Sequence, residues 1–161
     1  MKSGKQEVVY LDKKQALAKA EHFCVYQERS QKEVRYKLVE WGIRGDELEE
    51  ILAELIVNNF LNEERFAKIY VSGKFNIKKW GRIKIKQGLK LKGVPERILQ
   101  KALYSMDDDD YERTLRHIAE KKSETLTEKD KNKRKYKLIT YLQSRGFELD
   151  LIYSVLKQDT N

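Results

Sequence analysis

Along this chain one arrangement of apolar and polar positions occurs three times. Residues 34–43 are VRYKLVEWGI, residues 85–94 are IKQGLKLKGV and residues 138–147 are LITYLQSRGF. Each carries an aliphatic residue, a leucine four positions on, a glycine four after that, then another apolar residue. The anchors are Val34, Leu38, Gly42 and Ile43; Ile85, Leu89, Gly93 and Val94; and Leu138, Leu142, Gly146 and Phe147. Spacings of four place apolar side chains on one face of a helix. A glycine after the last turn ends the helix, because the residue there commonly takes a positive φ. The next apolar residue then folds back as a latch. Apolar pairs further on (Ile51 and Leu52, Ala102 and Leu103, Val155 and Leu156) mark a second helix after each glycine. In the middle copy Pro95 falls at the first turn of that helix, where a missing N–H costs nothing. Three matches roughly fifty residues apart define a tandem repeat.

Each copy also predicts a helix upstream, over about 13–28, 63–76 and 110–122. Ser30 followed by Glu33 has the spacing of a capping box. Asn62 can cap the helix after it, with Glu63 and Glu64 favourably placed in its first turn. The third copy has a longer polar break, SETLTEKDKNK, before its central helix. The expected fold is all-α: three tandem three-helix repeats in an elongated, curved array. The expected boundaries are a flexible arm at 1–12, then repeats at 13–61, 62–108 and 109–161. Each repeat alone has a thin core and so needs its neighbours.

Composition supports this. A single proline and eight glycines are too few for the turns of an all-β sandwich. The lone cysteine, Cys24, excludes an internal disulfide and lies among apolar helical positions, as a buried small hydrophobe would. No run approaches the roughly 20 apolar residues of a membrane span, and the first residues have no signal-peptide core, so a cytoplasmic protein without a membrane partner is expected.

Charge changes the picture more. The formal net charge is +8, which favours an anionic partner, and its distribution is uneven. Residues 44–64 carry Asp46, Glu47, Glu49, Glu50, Glu54, Glu63 and Glu64 against Arg44. Residues 74–97 carry Lys74, Lys78, Lys79, Arg82, Lys84, Lys86, Lys90, Lys92 and Arg97 against Glu96. A second basic block, KDKNKRKYK, opens the central helix of the third repeat. The two basic blocks occupy equivalent places in their repeats, which tends to put them on a common side. Trp80 is interleaved with the first, either as a partner contact or packed within its own repeat.

Catalytic chemistry is not indicated. His22 and His117 are far apart in helical patterns, and no Cys/His set has zinc-ligand spacing. The glycines are helix stops, not a phosphate-cradling loop. The run MDDDDYERT lacks calcium-loop spacing and is expected as a polar linker with Asp110 near a helix start. No enzyme, cofactor or metal is expected.

The stretch FLNEERFAKIYV, residues 60–71, resembles the RecX family of bacterial regulators of the RecA recombinase, through Leu61, Asn62, Glu63, Arg65, Phe66, Ala67 and Tyr70. SQKEVRYKLVEWGI and WGRIKIKQGLKLKGVPERILQKAL are similar to the family's helix–glycine segments, the latter through Gly81, Ile85, Leu89, Gly93, Val94, Ile98 and Leu103. The similarity spans about residues 15–157 and is weaker in the third repeat. Gly88 departs from the family's acidic residue, and Asn59 stands where a glycine is common. Phe66, Ala67 and Tyr70 are spaced as core contacts, and Arg65 is expected to pair with a nearby carboxylate, for instance across from the acidic stretch. The resemblance implies a non-enzymatic, three-repeat helical protein that binds RecA filaments on DNA and restrains strand exchange, ATP hydrolysis and co-protease activity. On this reading Lys79, Arg82, Lys84, Lys86, Lys90, Lys133, Arg134, Lys135 and Lys137 contact the RecA filament, and single- or double-stranded DNA is a further partner. A monomer is expected. The competing readings are a helical DNA- or RNA-binding protein acting without RecA, and an α-solenoid scaffold.

Overall fold

The computed structural model describes residues 10–158. These form nine α-helices and no strand: α1 (Lys13–Tyr26), α2 (Gln31–Glu40), α3 (Gly45–Val57), α4 (Glu63–Asn76), α5 (Arg82–Leu91), α6 (Glu96–Leu103), α7 (Asp108–Thr125), α8 (Lys131–Ser144) and α9 (Leu149–Gln158). The all-α, three-by-three organisation is the one the sequence predicts. The expected flexible arm falls mostly outside the described residues. Within 10–12, the Leu11 N–H donates to the Trp41 carbonyl at 3.1 Å and Asp12 caps α1.

The helix boundaries follow from local chemistry. Ser30 and Glu33 form the capping box, each side chain accepting from the other residue's N–H. Asn62 accepts from the Arg65 N–H at 2.9 Å at the start of α4. Pro95, with φ −59°, occupies the cap position one residue before α6 rather than its first turn. α7 is longer than its expected 110–122, because Asp107 caps it by accepting from the Asp110 N–H at 2.9 Å. Asp108, Asp109 and Asp110 then fill the first turn beside the positive end of the helix dipole.

The glycine stops take φ values of +87° at Gly42, +75° at Gly93 and +95° at Gly146. At Gly42 and Gly146 the bonds are those of a Schellman turn. Ile43 N–H reaches the Leu38 carbonyl at 2.9 Å, and Phe147 N–H reaches the Leu142 carbonyl at 3.2 Å. Both latch residues are buried.

The chain divides into two compact units, Met1–Phe66 with Lys92–Val94, and Ala67–Leu91 with Pro95–Asn161. In the first, α1, α2 and α3 pack on one another around Ala16, Ala20, Val34, Leu38, Ile51 and Leu55, each fully buried. Two alanines four apart on α1 let its backbone lie close to its neighbours. Cys24 completes the row at 6% exposure, and burial pushes its thiol up to about 11, so it behaves as an inert hydrophobe.

In the same unit Arg65 pairs with Glu28 at 2.6 Å and donates to the carbonyls of Asn59 and Phe60. Its partner lies in the α1–α2 connection rather than in the acidic stretch 44–64. Asn59 has φ +61°. Asparagine is the side chain that tolerates this region best after glycine. Glu63 is half-buried beside the Gln31 N–H and Glu33. Burial, more than the neighbouring carboxylate, raises its pKa, and its Oε1 has no hydrogen-bond partner.

Candidate partner-binding surface

In the second unit α5 packs against α6, and α7 packs against α8 and α9. Ile85 and Leu89 of α5 and Leu138 and Leu142 of α8 face the core. The basic side chains therefore occupy the remaining faces of these two helices.

α5 starts without a side-chain cap of its own repeat, because Gly81 precedes it. Its first N–H groups, which a helix cannot satisfy internally, are taken up by the third repeat. Gly81 N–H donates to the Arg145 carbonyl at 2.8 Å, Arg82 N–H to the Tyr111 hydroxyl at 3.0 Å and Ile83 N–H to the Gly146 carbonyl at 3.0 Å. The C-terminal turn of α8 thus caps the N-terminus of α5. Tyr111 is buried at this joint, its ring 5.7 Å from Phe75 and 5.3 Å from Phe147. Its hydroxyl donates to Glu148 at 2.7 Å. Burial, then that bond, keep it protonated well above the ordinary tyrosine range. Arg82 lies over the ring at 3.8 Å and pairs with Asp108 at 2.6 Å and Glu148 at 3.6 Å. Arg145 donates to the carbonyls of Lys78 and Lys79.

The proposed contact residues separate accordingly. Arg82 is committed to this joint. Arg134 is half-buried and donates to the carbonyls of Leu126 and Ser123, fastening the polar break to α8. Lys86 pairs with Glu96 at 3.4 Å and Lys137 with Glu128 at 3.2 Å. A hydrogen bond from Gln100, then the pull of Lys86 and Lys90, hold the Glu96 carboxyl below its usual range. Lys84 lies 4.5 Å over the Trp80 ring and Lys74 lies 4.7 Å over it. Trp80 is half-buried, held within its own unit between two ammonium groups. Lys79, Lys90, Lys133 and Lys135 are exposed. Lys79 has φ +57°, which a lysine rarely adopts.

The joint brings Lys79, Arg82 and Lys84 together beside Arg145. It sets Lys133, Arg134, Lys135 and Lys137 near the other end of α8, up to ~18 Å away at 1.5 Å per residue. These two groups thus sit toward opposite ends of α8. Sequence reasoning did not single out Gly81, Tyr111, Arg145 and Glu148 as a joint. The available signal was a glycine immediately before α5, at a place where α2 and α8 have Ser30 and Asp130 as caps. Among the described residues, no cluster of three His, Cys, Asp or Glu is placed to hold a metal ion, and no helix is long and apolar enough to cross a membrane.

Residues 16–55, 62–103 and 108–156 match the first, second and third three-helix domains of RecX, respectively. The chain is 37% identical to the regulatory protein RecX of Clostridium perfringens strain 13 over 135 residues, 83% of this chain and 63% of that one. It therefore spans less than two thirds of the length of that relative. To the regulatory protein RecX of Prosthecochloris aestuarii it is 31% identical over 147 residues, 91% of this chain and 95% of that one. The crystal structure of RecX from Lactobacillus salivarius superposes with a TM-score of 0.84 at 27% identity, covering 91% of this chain and 95% of the other. Helix order, glycine stops and three matched domains agree, and the chain belongs to the RecX family of regulatory proteins.

Proposed function

We propose that this protein regulates RecA by binding its filament on DNA and restraining ATP hydrolysis and recombination, without chemistry of its own. The observation that supports this reading is the pair of lysine-bearing helix faces on α5 and α8, tied together through Gly81 and Gly146. Such a joint presents two cationic patches at a set spacing, which suits a partner that is itself periodic and anionic. The functional repeats on this reading are 13–61, 62–108 and 109–161. The exposed Lys79, Lys90, Lys133 and Lys135 carry the contact. Lys84, Lys86 and Lys137 add to the field, and Arg82 and Arg134 hold the helices in place.

The test is RecA ATPase activity on single-stranded DNA with added protein. The parent lowers the rate. A variant with Lys79, Lys90, Lys133 and Lys135 changed to Glu stays folded and loses the effect. Equal inhibition by both would reject these contacts. Binding to bare DNA, measured across salt concentrations, separates this reading from a plain nucleic-acid binder, which would bind DNA at the concentrations that inhibit and with a steep salt slope.

A further inference from the structure

The third repeat differs from the others in one respect of length. Its first helix, α7, has 18 residues where α1 and α4 have 14, and its second, α8, has 14 where α2 and α5 have 10. Its third helix, α9, is 10 residues long among those described, between the 8 of α6 and the 13 of α3. The first two helices are thus each about one turn longer than their counterparts. Between the C-terminal half of α7 and the N-terminal half of α8 lies a groove of about 820 Å³, lined also by Leu156 of α9. Ala119, Leu138 and Leu156 line it with apolar surface. Glu120 and Glu124 stand on the α7 side, Lys131 and Lys135 on the α8 side. Each pair is spaced i, i+4 and so lies along one rim. Arg134, bonded to Ser123 and Leu126, ties the two arms together.

We propose that this groove binds an amphipathic α-helix of a protein partner, about two turns long, lying between the two charged rims. The occupant presents apolar residues to Ala119, Leu138 and Leu156, an acidic edge to Lys131 and Lys135 and a basic edge to Glu120 and Glu124. This is the helix-in-groove mode of recognition. Reversing the helix exchanges its edges, so the rim charges select its direction. A nucleic-acid strand is disfavoured because its phosphates would lie against the two glutamates.

The test needs no RecA, so its outcome is independent of the reading above. The probe is a stapled, fluorescein-labelled helical peptide with leucines along one face, glutamates along one edge and lysines along the other. Wild-type protein binds it saturably in fluorescence anisotropy, with amide shift changes centred on Ala119, Leu138 and Leu156. Lys131→Glu with Lys135→Glu weakens binding by up to about tenfold, the scale of two exposed ion pairs. A peptide with lysines on both edges restores it, which a misfolded variant could not do. Absence of saturable binding by the wild type overturns the proposal, as does equal binding of both peptides by both proteins. So does a wild-type dimer that the Lys131→Glu, Lys135→Glu variant dissolves, which would assign the groove to a second copy.

Discussion

Gly81 and Gly146 meet backbone to backbone. A Cβ placed on Gly81 would lie 2.3 Å from the carbonyl carbon and oxygen of Gly146, and one on Gly146 would lie 2.4 Å from Cβ of Lys84. This approach is what allows the last carbonyls of α8 to accept from the first N–H groups of α5. Gly81→Ala forces backbone apart rather than a flexible side chain, so we expect a loss of about 2 kcal/mol in urea unfolding, within the range for overpacking. Gly73→Ala is the control. It lies in α4 with nothing within 4 Å of the added Cβ, and it should gain up to ~1 kcal/mol.

Lys79→Gly separates stability from binding. The left-handed conformation of Lys79 costs a side chain on the order of 1 kcal/mol, so glycine should raise the unfolding midpoint. The same change removes an exposed charge from the α5 patch and should weaken inhibition of RecA. A variant that is both more stable and equally inhibitory would remove Lys79 from the contact.

Tyr111→Phe removes a hydroxyl that accepts from Arg82 N–H and donates to Glu148. The expected cost at neutral pH is about 1–2 kcal/mol, since two buried polar partners lose their bond. The tyrosine's pKa is raised in the fold. Its contribution is therefore complete below the unfolded value of about 10 and declines as pH rises beyond it. Thermal midpoints of the two proteins should converge above that pH, and a constant gap would refute the linkage.

Glu63 gives the opposite practical outcome from the same sign. Its pKa is also raised, chiefly by burial. The stability associated with its protonated form is present below about pH 4 and is lost as pH rises through the folded value. Burial thus disfavours the charged form of a side chain whose Oε1 has no hydrogen-bond partner. Glu63→Gln should raise the thermal midpoint at pH 7 and leave it nearly unchanged at pH 4. A larger effect at pH 4 would contradict the assignment.

Gly88 illustrates how a local rule is overridden. In a helix, glycine is weaker than alanine by up to ~1 kcal/mol, and the sequence offers no reason for it. In the fold, a Cβ on Gly88 would lie 2.0 Å from the Tyr70 hydroxyl, so the glycine makes room for the side chain of α4. Arg82 shows the same limit on the binding side. On α5 it is one basic residue among several, whereas Tyr111, Asp108 and Glu148 come to it from the following repeat.

Helix type, number and order were legible in the residues alone, as were the glycine stops, the Ser30 and Asn62 caps and the buried rows on α2, α5 and α8. These depend on interactions between residues a few positions apart, and periodicity records such interactions directly. The α8-to-α5 capping, the withdrawal of Arg82 and Arg134 from the surface, and the uncovered groove of the third repeat became visible only with the helices placed. Each arises where groups distant in the chain compete for the same hydrogen bond, charge or volume, and no local spacing encodes which of them prevails.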